Sequence, residues 1–113
     1  MEFHRYWLNE HAPRVLRHAD TLGMIRYVQG HCRPGGLNEG LAEQRGTAEP
    51  FDGIADAWFA DLPSMLAAAG SEAGVVALKE LMADELRFID VTRSCVFVVD
   101  EFELLGSGGC RPE

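Results

Sequence analysis

The chain has 113 residues, of which 47% are hydrophobic and 25% charged, and a formal net charge of −8. That describes one ordinary globular domain, large enough for a core but near the size at which a shared interface helps. The acidic balance argues against nucleic acid and anionic membrane surfaces as partners, since both reward clustered Lys and Arg. No run of about 18 apolar residues offers a membrane span. No charged segment followed by an apolar one offers a secretory signal at the N-terminus. Cys32, Cys95 and Cys110 form neither a CxxC pair nor a zinc-ligand pattern. Free thiols in a reducing cytoplasm are the expectation.

In chain order, residues 2–20 predict helix in two pieces. Pro13 biases Ala12 away from helical geometry, and Arg14 to Arg17 restart the helix after it. Phe3, Trp7 and His11 share one side, because residues four apart are neighbours on a helix surface. Two readings of that stripe stand. Phe3 and Trp7 are core with His11 a satisfied or helix-terminal histidine, or the three form an apolar pocket wall ending in one titratable imidazole. Gly23 is the expected C-cap.

Residues 24–32 alternate as a strand, with Ile25, Tyr27, Gln29 and His31 on one face and Met24, Arg26, Val28 and Cys32 on the other. Pro34-Gly-Gly opens a long connection to Pro50, with a short helix expected near Leu37 to Glu43. A connection of that length in a small domain reads as a lid or interface arm. Residues 53–60 predict the next strand, with Ile54, Asp56 and Trp58 on one face. Asp61-Leu-Pro-Ser reads as a helix start. After Gly70, a Ser71-capped helix follows with Val75, Leu78, Met82, Leu86 and Ile89 as its buried stripe. Cys95 to Leu105 predicts a last strand, buried on both faces at its beginning. Residues 106–113 predict a disordered tail.

The order α-β-β-α-β becomes the ferredoxin-like β-α-β-β-α-β once one strand is placed in front. The predicted fold is therefore α+β, an antiparallel sheet with helices on one face, lacking its usual first strand. That strand would lie between the third and the last, so the expectation is a gap beside the last strand or a swapped strand filling it.

Tyr27, Gln29 and His31 on one strand face would each need a polar partner in a dry core, so the face suits a cavity lining. An imidazole can give or take a proton near neutral pH. Paired with a tyrosine, it could deprotonate an activated carbon and stabilise the enolate. Against this, His31 also reads as a strand-end residue bonded to the long loop, and Trp58 as core. Asp84 and Glu85 read as a solvated helix face, Asp90 as a cap, and His4 and His18 as exposed helix positions. No spacing motif supports a metal site from His11, His31 and a carboxylate. No glycine-rich loop after a strand supports a nucleotide cofactor.

Four blocks in order, Arg5-Tyr-Trp-Leu-x-Glu-His-Ala-Pro13, Arg26-Tyr-Val-Gln-x-His31, Phe51-Asp-Gly-Ile-Ala-Asp-Ala-Trp-Phe59 and Asp84-Glu-x-x-Phe-Ile-Asp90, resemble the EthD (ether degradation) family of dimeric α+β barrel proteins. The resemblance spans Phe3 to about Leu105, and residues 1–105 are expected to form that domain. It implies a homodimer joined sheet to sheet and small, hydrophobic, often cyclic substrates. The family pattern marks His11 and His31. Joined to the residue-level reading, it nominates His11, His31 and Tyr27 as catalytic, with Phe3, Trp7, Gln29, Asp56 and Trp58 binding substrate and no cofactor or metal. The implied activity is dehydration, cyclisation, isomerisation or decarboxylation. An oxidoreductase-associated accessory role or a non-catalytic binder of a hydrophobic intermediate are the alternatives.

Overall fold

The first helical run of the chain positions most of the candidate site. The computed structural model describes residues 2–106. Glu2 caps α1 (Phe3–Tyr6), its carboxylate accepting the backbone N–H groups of His4 and Arg5. A π-helical turn, Trp7–His11, leads into α2 (Ala12–Leu22) without a break. The interruption expected at Pro13 is therefore absent. Ala12 keeps helical dihedrals (φ −55°, ψ −43°), and its N–H reaches back five residues to the Trp7 carbonyl. The wide turn lies just before the proline, whose missing N–H breaks the regular ladder. Gly23 ends the helix in the left-handed region at φ 73°, as its sequence position predicts.

Strand β1 (Met24–His31) pairs antiparallel with β2 (Gly53–Phe59). A bulge between Met24 and Arg26 shifts the start of β1, so Met24 and not Ile25 joins Tyr27, Gln29 and His31 on the helix-facing side. Ile25, placed inside by simple alternation, is 68% exposed. Between the strands lies α3 (Leu37–Arg45), within the long connection where a short helix is expected.

After β2 come α4 (Leu62–Gly70), capped by Asp61, and α5 (Glu72–Glu85), capped by Ser71 Oγ accepting the Gly74 N–H at 3.0 Å. Gly74 lies at a close approach of the two helices: an added Cβ would overlap the Ala68 carbonyl oxygen. The core joins Val15 and Leu22 of α2 to Ala77 and Leu81 of α5, with Met24, Tyr27 and Leu78 packed against it. The buried stripe of α5 is thus Gly74, Ala77, Leu81 and Asp84. Val75, Met82 and Leu86, expected inside, are exposed. Apolar count misplaces this helix because one buried position is a glycine at a close approach and another a carboxylate with partners on the first helix.

The architecture is α+β, an antiparallel strand pair with helices on one face, consistent with a ferredoxin-like protomer missing a strand. Among the described residues the expected last strand does not form: beyond a short turn of 3₁₀-helix, Val91–Arg93, the segment 95–105 makes no ladder. Val96, Phe97, Val98 and Val99 are all exposed. A strand needs a neighbour for its N–H and C=O groups, and here none lies alongside. The expected disordered tail falls outside the described residues apart from Gly106.

Candidate functional site

Two polar clusters flank the Trp7 side of the first helix. One faces α5. Widening the helix at Trp7–His11 leaves both of those residues buried, at 5% and 4% exposure. His11 Nδ1 lies 2.7 Å from Asp84 Oδ2, and the Tyr6 hydroxyl donates to Asp84 Oδ1 at 2.5 Å. Arg14 and Arg87 stand farther off, their Nε atoms 3.8 and 3.6 Å from Oδ1. Burial alone would raise the Asp84 carboxyl, but the Tyr6 and His11 hydrogen bonds and the Arg14 charge outweigh it and hold the group below the usual range. An ionised Asp84 accepts a hydrogen bond from the Nδ1–H of His11, which leaves Nε2 as the basic nitrogen of the neutral ring. Phe88 packs on that imidazole with centroids 5.0 Å apart.

The solvated-face reading of Asp84 is therefore wrong: its side chain is buried and shared by two elements. The missed signal was its spacing, since Asp84 follows Ala77 and Leu81 on one helical stripe.

Glu85, the next residue, is half-buried and has no hydrogen-bond or ion-pair partner among the described residues. Burial raises its carboxyl above the ordinary value; the nearby His11 opposes this and Asp84 adds to it. A carboxyl whose folded pKa is raised penalises the native state once ionised. Glu85→Gln should therefore increase thermal stability at neutral pH. The gain should disappear below about pH 4, where unfolded Glu also holds its proton. Melting temperatures across that range provide the check.

The second cluster lies on the helix-facing side of β1. Gln29 Nε2 donates to the Trp7 carbonyl at 3.1 Å and to the Tyr27 hydroxyl at 3.0 Å. Its Oε1 accepts from His31 Nε2 at 2.8 Å. His31 Nδ1 in turn meets Nδ1 of His4 at 2.8 Å. His4, expected to be exposed, is half-buried and belongs to the site. Its three-residue spacing before Trp7 carried that signal. Burial lowers the His31 imidazole, the His4 charge lowers it further, and Glu2 opposes both. Burial likewise raises the Tyr27 phenol against the opposing Gln29 hydrogen bond. His18 is not free either: its Nε2 lies 2.6 Å from Glu80 Oε2 on α5.

Trp7 joins the two clusters through Phe3, which also packs on Phe88 at 5.8 Å. The Trp7 ring stacks at 4.4 Å on His31 and 5.3 Å on Phe3. Its ring also packs against Gly53 of β2, where a Cβ would overlap the indole and sit 2.9 Å from the Gly30 carbonyl oxygen. Phe3 and Phe88 border a cleft of about 430 Å³ with Leu86, Arg87, Ile89 and Asp90.

Of the residues nominated from sequence, His11, His31, Tyr27, Phe3, Trp7 and Gln29 share the helix-facing side of the sheet. Asp56 and Trp58 do not. They stand on the opposite face, paired with Val28 and Arg26. The Arg26 guanidinium lies 4.5 Å over the Trp58 ring, and the indole N–H donates to Glu101 Oε1 at 2.7 Å. Among the described residues no three His, Cys, Asp or Glu side chains converge as a metal set. No described helix is long and apolar enough to cross a membrane.

Compared with known families, the chain matches the sequence model of the EthD domain over residues 1–92. No curated protein and no solved structure matches the chain.

Proposed function

The chain belongs to the EthD domain family, and from that premise we propose an enzyme performing acid–base chemistry on a hydrophobic cyclic substrate with its own side chains. Dehydration, cyclisation, isomerisation or decarboxylation are the reactions in view. The observation that supports this most is the buried pair of Asp84 and His11 at 2.7 Å. A carboxylate that fixes one ring nitrogen makes the other a directed base, as in catalytic His–Asp pairs on unrelated folds. Proton removal beside a carbonyl leaves an enolate, and on this reading Tyr27 is the phenol that hydrogen-bonds it. Its oxygen accepts from Gln29, so its own proton is free to donate. Phe3, Trp7 and Phe88 supply the apolar wall, with ring centroids 5.3 Å apart for Phe3–Trp7 and 5.8 Å for Phe3–Phe88.

Single substitutions test the reading against a panel of phenolic and polyketide-like compounds. His11→Ala and His31→Ala should each lower kcat by at least about 100-fold, the low end of what a general base, or a residue that orients one, contributes. Wild-type turnover in both would end the proposal. Tight binding without turnover in the wild type would make the protein a binder.

The same reading makes the protein a cytoplasmic homodimer. Ile25 and Ile54, both beyond 60% exposed, project with Val28 from the sheet face that carries no helices. Val96, Phe97, Val98 and Val99 add further exposed apolar surface. Such a patch is expected to be covered. Sedimentation should show a dimer at micromolar concentration, and a stable monomer would refute it.

A further inference from the structure

The hydrogen bonds around His31 leave little freedom in where its protons sit. Gln29 spends both amide hydrogens as donor, to the Trp7 carbonyl and the Tyr27 hydroxyl. Its Oε1 is therefore the atom facing His31, and it can only accept, so His31 carries hydrogen on Nε2. In a neutral ring this makes His31 Nδ1 a lone pair. The nitrogen facing that lone pair at 2.8 Å is His4 Nδ1, which must then carry the hydrogen. The remaining lone pair of the four ring nitrogens is Nε2 of His4, which has no hydrogen-bond partner among the described residues.

We propose that Nε2 of His4 is the proton-accepting atom of the sheet-side cluster, and that His31 is a positioning residue holding the His4 ring in its Nδ1–H form. The proton comes from a weakly acidic hydroxyl or activated C–H of the ligand. It moves to His4 Nε2, and the bonding pair stays on the ligand as a phenolate or enolate. His4 becomes an imidazolium whose Nδ1–H still donates to neutral His31, and returning the proton reverses the step. The surroundings favour one positive charge here and no more. Glu2, at the cap of α1, is the anion acting on both rings. The Arg5 charge acts on Glu2 and offsets part of the carboxylate's own. Strand β1 presents only the neutral Tyr27 and Gln29, and β2 sets Gly53 opposite His31. The rings of Phe3 and Trp7 close the pair at 4.9 Å from His4 and 4.4 Å from His31. A second proton, on His31 Nδ1, would point at the nitrogen that already donates to it.

The proton-placement claim stands on geometry alone; its catalytic role rests on the acid–base reading above. Nitrogen–proton correlation spectra of the histidine side chains in the wild-type protein test the placement without any ligand. At neutral pH His4 should be protonated on Nδ1 only and His31 on Nε2 only. On acidification His4 should gain the second proton while His31 keeps one. Gln29→Met should turn both rings into mixtures of tautomers. His31 gaining its second proton first, or His4 carrying hydrogen on Nε2 at neutral pH, would overturn the assignment even if the variant fails to fold. With a substrate in hand, His4→Gln should lower kcat by at least about 100-fold with KM little changed. Wild-type kcat in His4→Gln, beside a dead His11→Ala, would refute the role of His4 alone. Wild-type kcat in both would refute the acid–base reading instead.

Discussion

Asp84→Ala is expected to destabilise the protein by about 3 kcal/mol, because it removes the acceptor for two groups from another element. The Tyr6 hydroxyl and the His11 imidazole would lose their shared partner, and His11 is buried at 4% exposure. Arg14 and Arg87 would also lose the carboxylate they flank. Acid should narrow the deficit. Asp84 is held below the usual carboxylate range, so the stability it contributes is complete above the unfolded value near pH 4. It is lost as pH falls through the lower folded value. Denaturant titrations of wild type and variant at neutral and acid pH measure both effects. A deficit under 1 kcal/mol at neutral pH would mean that the cluster is not a structural tie.

Gly74→Ala should be at least as severe, with a loss of about 3 kcal/mol or failure to fold, although alanine is the better helix former. The added methyl would fall on the Ala68 carbonyl oxygen and 3.0 Å from Ser71 Oγ. Both atoms belong to the corner between α4 and α5, and the serine is the cap of α5. Relief requires moving backbone, not turning a side chain. Secondary-structure content and melting temperature of the purified variant decide it. A variant more stable than wild type would show that the corner can open freely.

Much of the element order was legible in the sequence, and the reasons are local. Gly23, Asp61 and Ser71 mark helix boundaries through chemistry confined to a few residues, and each does what its type predicts. The failures share a non-local cause. Met24 and Ile25 exchange faces because a bulge inserts one residue into the strand count. Asp84 is buried because Tyr6 and His11, more than 70 residues earlier, are there to receive it. The segment 95–105 has the apolar alternation of a strand, but pairing depends on a neighbour that no periodicity can supply. The site followed the same rule. His11 and His31 stood out as residue types in motif blocks, whereas His4 and Glu85 matter only through what surrounds them.

The π turn at Trp7–His11 amounts to one surplus residue wound into an otherwise continuous helix, and the stretches before and after it serve different parts of the molecule. Val15 and Leu22 downstream mesh with the core. Phe3, His4 and Trp7 upstream mesh with the sheet-side cluster. Deleting one exposed residue of the turn, Leu8 or Asn9, would replace five residues of wide turn by four in regular winding, which span nearly the same rotation about the axis. The faces before and after it would keep their phase, so the core contacts of Val15 and Leu22 and the approach of His4 to His31 could both survive. A helix built this way can gain or shed one residue at the bulge without re-indexing either face, so the positions inside the turn, Trp7 and His11 among them, are the ones open to change.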